Sequence, residues 1–139
     1  MKKIRFLIIA AGFLLPLVIE LFFVLIQDPE ILLPKNNMIG TFFMAGLWGG
    51  IFNIIPFILL YILIKNKPGV KNLPELGMVI AVVSASIFFN SIYFIDLTGN
   101  SPSSTGVLLI FVMPIYISLA IPFGYLGGLI IQFFVRKKG

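Results

Sequence analysis

Glu20 is the one charged residue that lies deep inside a long apolar stretch of this sequence, the run from Ile4 to Ile26. A carboxylate at bilayer depth must be neutral, paired or turned toward other helices, because hydrocarbon does not solvate a charge. Such a group can carry a proton or bind a cation. It can equally be a neutral hydrogen-bonding group that holds helices together. The sequence alone leaves both roles open.

Three hydrogen-bond donors are predicted at the same depth as Glu20, when depth is counted from the midpoint of each apolar stretch. They are Trp48, Asn90 and Tyr116, and no Lys or Arg lies at that level. We therefore expect an intramembrane polar cluster in which Glu20 is buried, mostly protonated near neutral pH and hydrogen-bonded to one of these donors. Of the five acidic residues, we expect only Glu20 to be buried.

The composition excludes most catalytic and cofactor chemistry. The sequence contains neither His nor Cys, which argues against bound haem, structural zinc, thiol catalysis and disulfides. No base and no cluster of metal ligands accompanies Glu20. We therefore expect a protein that is not an enzyme, with no catalytic residue, no cofactor and no bound metal.

Four apolar stretches are long enough to cross a membrane as helices. A hydrocarbon core of about 30 Å takes roughly 20 helical residues. The 139 residues are 60% hydrophobic with a mean hydropathy of +1.13, which is more apolar surface than a soluble domain of this size could bury. The sequence predicts an all-α integral membrane protein with one domain, residues 1–139, and transmembrane helices at about 6–26, 39–64, 76–95 and 107–135.

The distribution of basic residues predicts the orientation of these helices. Nine of the ten Lys and Arg residues lie in the segments 1–5, 65–75 and 136–139. Basic residues in short loops stay in the cytoplasm, so both termini and the second loop are expected there. The net charge of +5 could suggest a nucleic-acid partner, but these residues adjoin apolar stretches, and we expect none. The expected location is the bacterial inner (cytoplasmic) membrane, with several membrane crossings.

Small residues recur at three- and four-residue spacings in three predicted helices, which places them on one face of each helix. Such faces let two backbones approach closely, and an Asn on the face can hydrogen-bond to the neighbouring helix. The faces can pack inside one bundle, or they can form a seam with another copy or subunit. We expect most of them to pack inside the bundle. The residues are Gly46, Gly49, Gly50 and Asn53; Gly77, Ala81 and Ala85; and Ala120, Gly124 and Gly128.

Proline interrupts three of the predicted helices, at Pro16, Pro56, Pro114 and Pro122. Each proline lacks an N–H and leaves the carbonyl four residues earlier without its usual partner. Broken helices are found at transporter binding sites and also in ordinary membrane bundles. The ordinary bundle is the interpretation that we favour here.

These features suggest two functions. The first is a small non-enzymatic membrane subunit, embedded in the lipid bilayer, that packs on itself or on a larger membrane protein. The alternative is a small oligomeric transporter or channel that uses Glu20 for proton or cation coupling. Four helices alone rarely enclose a pathway, so the second function would need several copies.

Overall fold

The computed structural model describes residues 2–27, 38–64, 73–98 and 104–137, and all of them are helical. Side chains are described for residues 7–26, 43–64, 73–95 and 108–137. The prediction of four helices is confirmed, and each helix extends by up to four residues beyond the expected ends, because a helix can continue past its apolar stretch. The helices are α1 (Lys2–Gln27), α2 (Met38–Ile64), α3 (Leu73–Thr98) and α4 (Ser104–Lys137).

Each helix is long enough and apolar enough to span a membrane. The qualifying segments are Leu7–Ile26, Phe43–Ile64, Leu73–Ile95 and Leu108–Lys137. With 34 residues, α4 is about 51 Å long at 1.5 Å per residue, which exceeds a hydrocarbon core of about 30 Å. A helix of this length must tilt or extend beyond the core.

Helices that are adjacent in sequence pack as antiparallel pairs. In the pair α1–α2, Gly12 contacts Phe57 and Glu20 contacts Gly46, so the chain directions oppose each other. The pair α3–α4 has the most extensive contact, and within the described residues no Cα atom of α1 lies within 8 Å of a Cα atom of α4. The helices α2 and α3 therefore lie between the two outer helices.

The interior of the bundle is apolar, and so is its outer surface. Fully buried side chains from three helices, such as Phe57, Phe94 and Ile117, form the centre. Large apolar side chains are also exposed along all four helices, among them Val18 and Leu119. A helix that is apolar on all sides is typical of a membrane span.

Candidate functional site

Asn53 on α2 binds the carbonyl group that Pro16 leaves without a partner on α1. A proline removes the N–H that would bond to the carbonyl four residues earlier, and for Pro16 that carbonyl belongs to Gly12. The Asn53 Nδ2 atom donates a hydrogen bond of 2.6 Å to the Gly12 oxygen. Asn53 is 1% exposed, so this bond forms in the interior of the bundle. The expected hydrogen bond from an Asn on the glycine face of α2 to a neighbouring helix is thus present.

A Ser and a second Asn extend this hydrogen-bonding network from α2 to α3. The Ser86 hydroxyl donates to Asn53 Oδ1 at 2.7 Å. Asn90 Nδ2 donates to the Ser86 carbonyl oxygen at 2.8 Å and approaches Asn53 Oδ1 at 3.4 Å. Both side chains are fully buried. Three helices are therefore joined by one chain of hydrogen bonds, which we call the Asn53 network (Gly12, Asn53, Ser86 and Asn90).

Glu20 is buried where α1 meets the glycine face of α2, with 6% of its surface exposed. Its Oε2 atom occupies the space that a Cβ atom would need at Gly46, and the Gly46 backbone hydrogen-bonds to the carboxyl group. On α3, Tyr93 lies close enough to interact electrostatically with Glu20. Glu20 Oε1 has no hydrogen-bond partner among the described residues. The close approach of Gly46 explains how a carboxyl group fits between two packed helices.

The predicted hydrogen bonds from Trp48, Asn90 or Tyr116 to Glu20 are not formed. Trp48 is 51% exposed and stacks on Phe52, and Tyr116 is 49% exposed and stacks on Phe89. Of the three expected donors, only Asn90 is buried, and its Nδ2 group is used within the Asn53 network. Depth along the membrane was estimated from the sequence, but depth does not specify which way a side chain points around its helix.

Two buried side chains that pack against the glycine face of α2 each have an oxygen atom without a hydrogen-bond donor from the described part of the chain. These atoms are Glu20 Oε1 and Asn90 Oδ1. Asn90 Oδ1 lies 3.6 Å from the Cβ position of Gly49, which is one helical turn from Gly46, the residue in contact with Glu20. The Glu20 carboxyl group and Asn90 Oδ1 therefore lie against neighbouring turns of α2, in one seam between α1, α2 and α3.

The predicted small-residue faces are used inside the chain. On α2, Gly49 packs against Pro16 and Gly50 against the carbonyl of Phe13. Gly124 contacts Gly77 and Ala81 on α3. Gly128 on α4 packs against Leu73 and Pro74 at the start of α3. The two remaining small residues, Ala85 and Ala120, are half-buried.

A second acidic residue, Glu75, is also buried. Glu75 is 1% exposed, so the prediction that only Glu20 among the acids is buried is wrong. Glu75 lies in the first turn of α3, where a negative charge is favoured by the helix dipole. The sequence signal was the Pro–Glu pair at Pro74, because proline and an acidic residue are both common in a first helical turn.

A separate crevice of about 290 Å³ opens between α2, α3 and α4. It is lined by Leu63, Met78, Ile121, Pro122 and Tyr125. A crevice with this apolar lining suits a hydrocarbon chain better than a polar substrate. The described residues contain no group of three or more His, Cys, Asp or Glu side chains that could bind a metal ion.

Together, the fold and the site define a bundle of four membrane-length helices with a buried polar seam. Comparison of the chain with protein families, with curated proteins and with solved structures found no match.

Proposed function

We propose that the protein is a small non-enzymatic integral membrane subunit that packs on itself or on a larger membrane protein. Both termini lie in the cytoplasm, and the membrane is the bacterial inner membrane. The orientation is supported by the basic residues of the segments 1–5, 65–75 and 136–139. The outer apolar surface faces the lipid bilayer.

The observation that carries this proposal is the internal use of the polar side chains in the bundle. Asn53, Ser86 and the amide nitrogen of Asn90 hydrogen-bond to one another and to the Gly12 backbone. Groups that are bound in this way stabilise the packing of helices and are not free to act on a substrate. A role in assembly fits such a molecule better than a role in catalysis.

The outer side of α4 is the surface that we assign to the partner. The other described glycines of α2, α3 and α4 contact side chains or backbone of this chain, whereas a Cβ atom at Gly127 would meet nothing within 4 Å. Exposed Phe123, Leu126 and Ile130 surround this open position on the same helix. A glycine beside bulky apolar residues allows the backbone of a second helix to approach closely.

The size of the purified protein in detergent tests this proposal. Gly127→Leu is expected to reduce the assembled size while leaving the thermal stability of the single chain nearly unchanged, because a Cβ atom at this position meets no atom of this chain within 4 Å. Ala11→Leu is the matched control, since Ala11 is exposed on α1 and the same side chain is added. A wild-type protein that is monomeric and copurifies with no other membrane protein would contradict the proposal.

A second candidate function is a small oligomeric transporter or channel that uses Glu20. The observation that favours it is the pair of buried acceptors, Glu20 Oε1 and Asn90 Oδ1, to which no described group donates. Intramembrane acidic residues of this kind often mark ion or proton pathways. This function is tested by measuring the flux of protons or Na⁺ into vesicles that contain the protein. A transporter or channel that uses Glu20 should show such a flux, and Glu20→Gln should abolish it.

A further inference from the structure

We propose that Glu20 and Asn90 form a binding site for one monovalent cation, either a proton or Na⁺, in the seam between α1, α2 and α3. The site deepens the second candidate function because it names the ligand of Glu20. Binding does not require transport, however. A site that binds a cation without moving it would also fit an assembly subunit.

The position of two unsatisfied oxygen atoms is the first argument for this site. Glu20 is 6% exposed and Asn90 is fully buried, so water has little access to either side chain. Each side chain has one acceptor without a described donor, Oε1 of Glu20 and Oδ1 of Asn90. The Glu20 carboxyl group and Asn90 Oδ1 lie against adjacent turns of α2, at Gly46 and Gly49. A buried acceptor without a donor destabilises the fold, because it has lost its hydrogen bonds to water. One cation that contacts both oxygens removes this cost for both.

The orientation of the Asn90 amide is fixed by its other contact. Nδ2 donates to the carbonyl oxygen of Ser86 at 2.8 Å. Exchanging the amide oxygen and nitrogen would bring Oδ1 against that carbonyl, and two acceptors would then face each other. The oxygen of Asn90 must therefore point toward Gly49, which lies one turn from the contact of Glu20.

The charges around Glu20 indicate that the ligand carries a single positive charge. From α2 the carboxyl group meets the uncharged Gly46 backbone, and on α3 the titratable group that interacts with it electrostatically is Tyr93. Within the described ranges, no Cα atom of α4 lies within 8 Å of a Cα atom of α1. A proton or one Na⁺ balances one carboxylate, whereas a divalent ion would keep one positive charge that no second described carboxylate at this site balances.

The basic side chains that the structure describes are far from this site. They are Arg136 and Lys137 at the end of α4. Near that end, Gly128 packs against Leu73 at the start of α3, whereas Glu20 interacts with Tyr93, twenty residues further along α3. This separation corresponds to about 30 Å at 1.5 Å per residue. Neither basic residue can pair with Glu20.

The test is the thermal unfolding of the full-length chain in detergent, measured over a range of pH in NaCl and in equimolar choline chloride. A ligand that binds only the folded state raises the unfolding temperature. If Na⁺ binds, the unfolding temperature at alkaline pH will be several degrees higher in NaCl than in choline chloride. At acidic pH the two salts will give the same value, because a proton then occupies the site.

If only the proton binds, the unfolding temperature will fall with rising pH equally in both salts, and this result also supports the site. Glu20→Gln is expected to abolish both dependences, because the Gln amide is uncharged and can itself donate to Asn90 Oδ1. Glu75→Gln is the matched control, since it changes the other buried acid in the described residues. The unfolding temperature of this variant should still depend on pH and Na⁺ as in the wild type. Dependences that persist in Glu20→Gln, or a wild-type protein that responds to neither pH nor Na⁺, would overturn the proposal.

Infrared difference spectroscopy of the Glu75→Gln protein gives a second measurement that does not require Glu20→Gln to fold. Glu20 is then the one buried acid in the described part of the chain. The absorption of a protonated carboxyl group should disappear on raising the pH or adding Na⁺. A spectrum without such a band at any pH would contradict proton binding. These measurements report binding, so they can fail while the assembly function, tested through Gly127, still holds.

Discussion

Asn53 lies where the proline-broken helix α1 needs a hydrogen-bond donor. The Gly12 carbonyl has lost its normal partner to Pro16, and it is buried in the bundle, where bulk water does not replace that partner. Asn53 supplies the missing N–H from another helix, while its Oδ1 atom accepts the Ser86 hydroxyl. Proline and asparagine therefore form one structural unit across two helices.

The first prediction concerns this unit of Pro16 and Asn53. Asn53→Ala should lower the free energy of unfolding by about 1–3 kcal/mol, because the Gly12 carbonyl is left buried without a donor. In the Pro16→Ala background the same change should cost less, since alanine in place of the proline provides a backbone N–H for that carbonyl. Thermal or denaturant unfolding of the two single variants and the double variant measures this coupling. If the free-energy costs of the two single substitutions simply add in the double variant, the hydrogen bond from Asn53 to Gly12 does not stabilise the fold.

Glycine determines how closely the helices approach each other. Between α1 and α2 the close contacts are at Gly46 and Gly50, and between α3 and α4 the backbones of Gly77 and Gly124 meet directly. Van der Waals contact is a main source of helix association in lipid, so a methyl group at these positions separates the helices. These contacts hold each antiparallel pair together.

The second prediction compares two adjacent glycines of α2. A Cβ atom at Gly50 would lie 2.7 Å from the Phe13 carbonyl oxygen, a backbone atom that cannot move aside. A Cβ atom at Gly49 would lie 3.3 Å from the Pro16 side chain, a contact that small shifts can relieve. Gly50→Ala should therefore lower the unfolding temperature by several degrees more than Gly49→Ala. Equal effects of the two substitutions would contradict this account of the α1–α2 contact.

The molecule as a whole is a pair of helical hairpins joined by buried polar groups and surrounded by apolar surface. If all four helices cross the membrane, residues 2 and 137 lie on the same side of it. The segments rich in Lys and Arg predict that this side is the cytoplasm.

The third prediction is the membrane topology. Reporter fusions after Arg136 and within the segment 65–71 should report the cytoplasm, because these positions adjoin the basic clusters. Fusions near Asn36 and Asn100 should report the outside. An outside signal at Lys67 would refute the orientation, since that residue lies in the most basic loop of the sequence.

The number and approximate limits of the helices could be predicted from the sequence alone. A membrane-spanning helix requires about 20 apolar residues, and this length requirement makes each span visible without knowledge of its neighbours. Glycine spacing on α2 and α4 likewise predicted close packing, because residues three and four apart share a helix face. The burial of Glu20 followed from its place in an apolar run.

The partners of each buried group were decided only by the tertiary structure. Helix rotation brought Asn90 inside and left Trp48 and Tyr116 on the outer surface, although all three were expected at one depth. The pairing of Asn53 with the Gly12 carbonyl depends on how α2 packs against the proline-broken α1. Side-chain contacts depend on the rotation and crossing of packed helices, and these are set by the close fit of glycines and prolines from different parts of the chain.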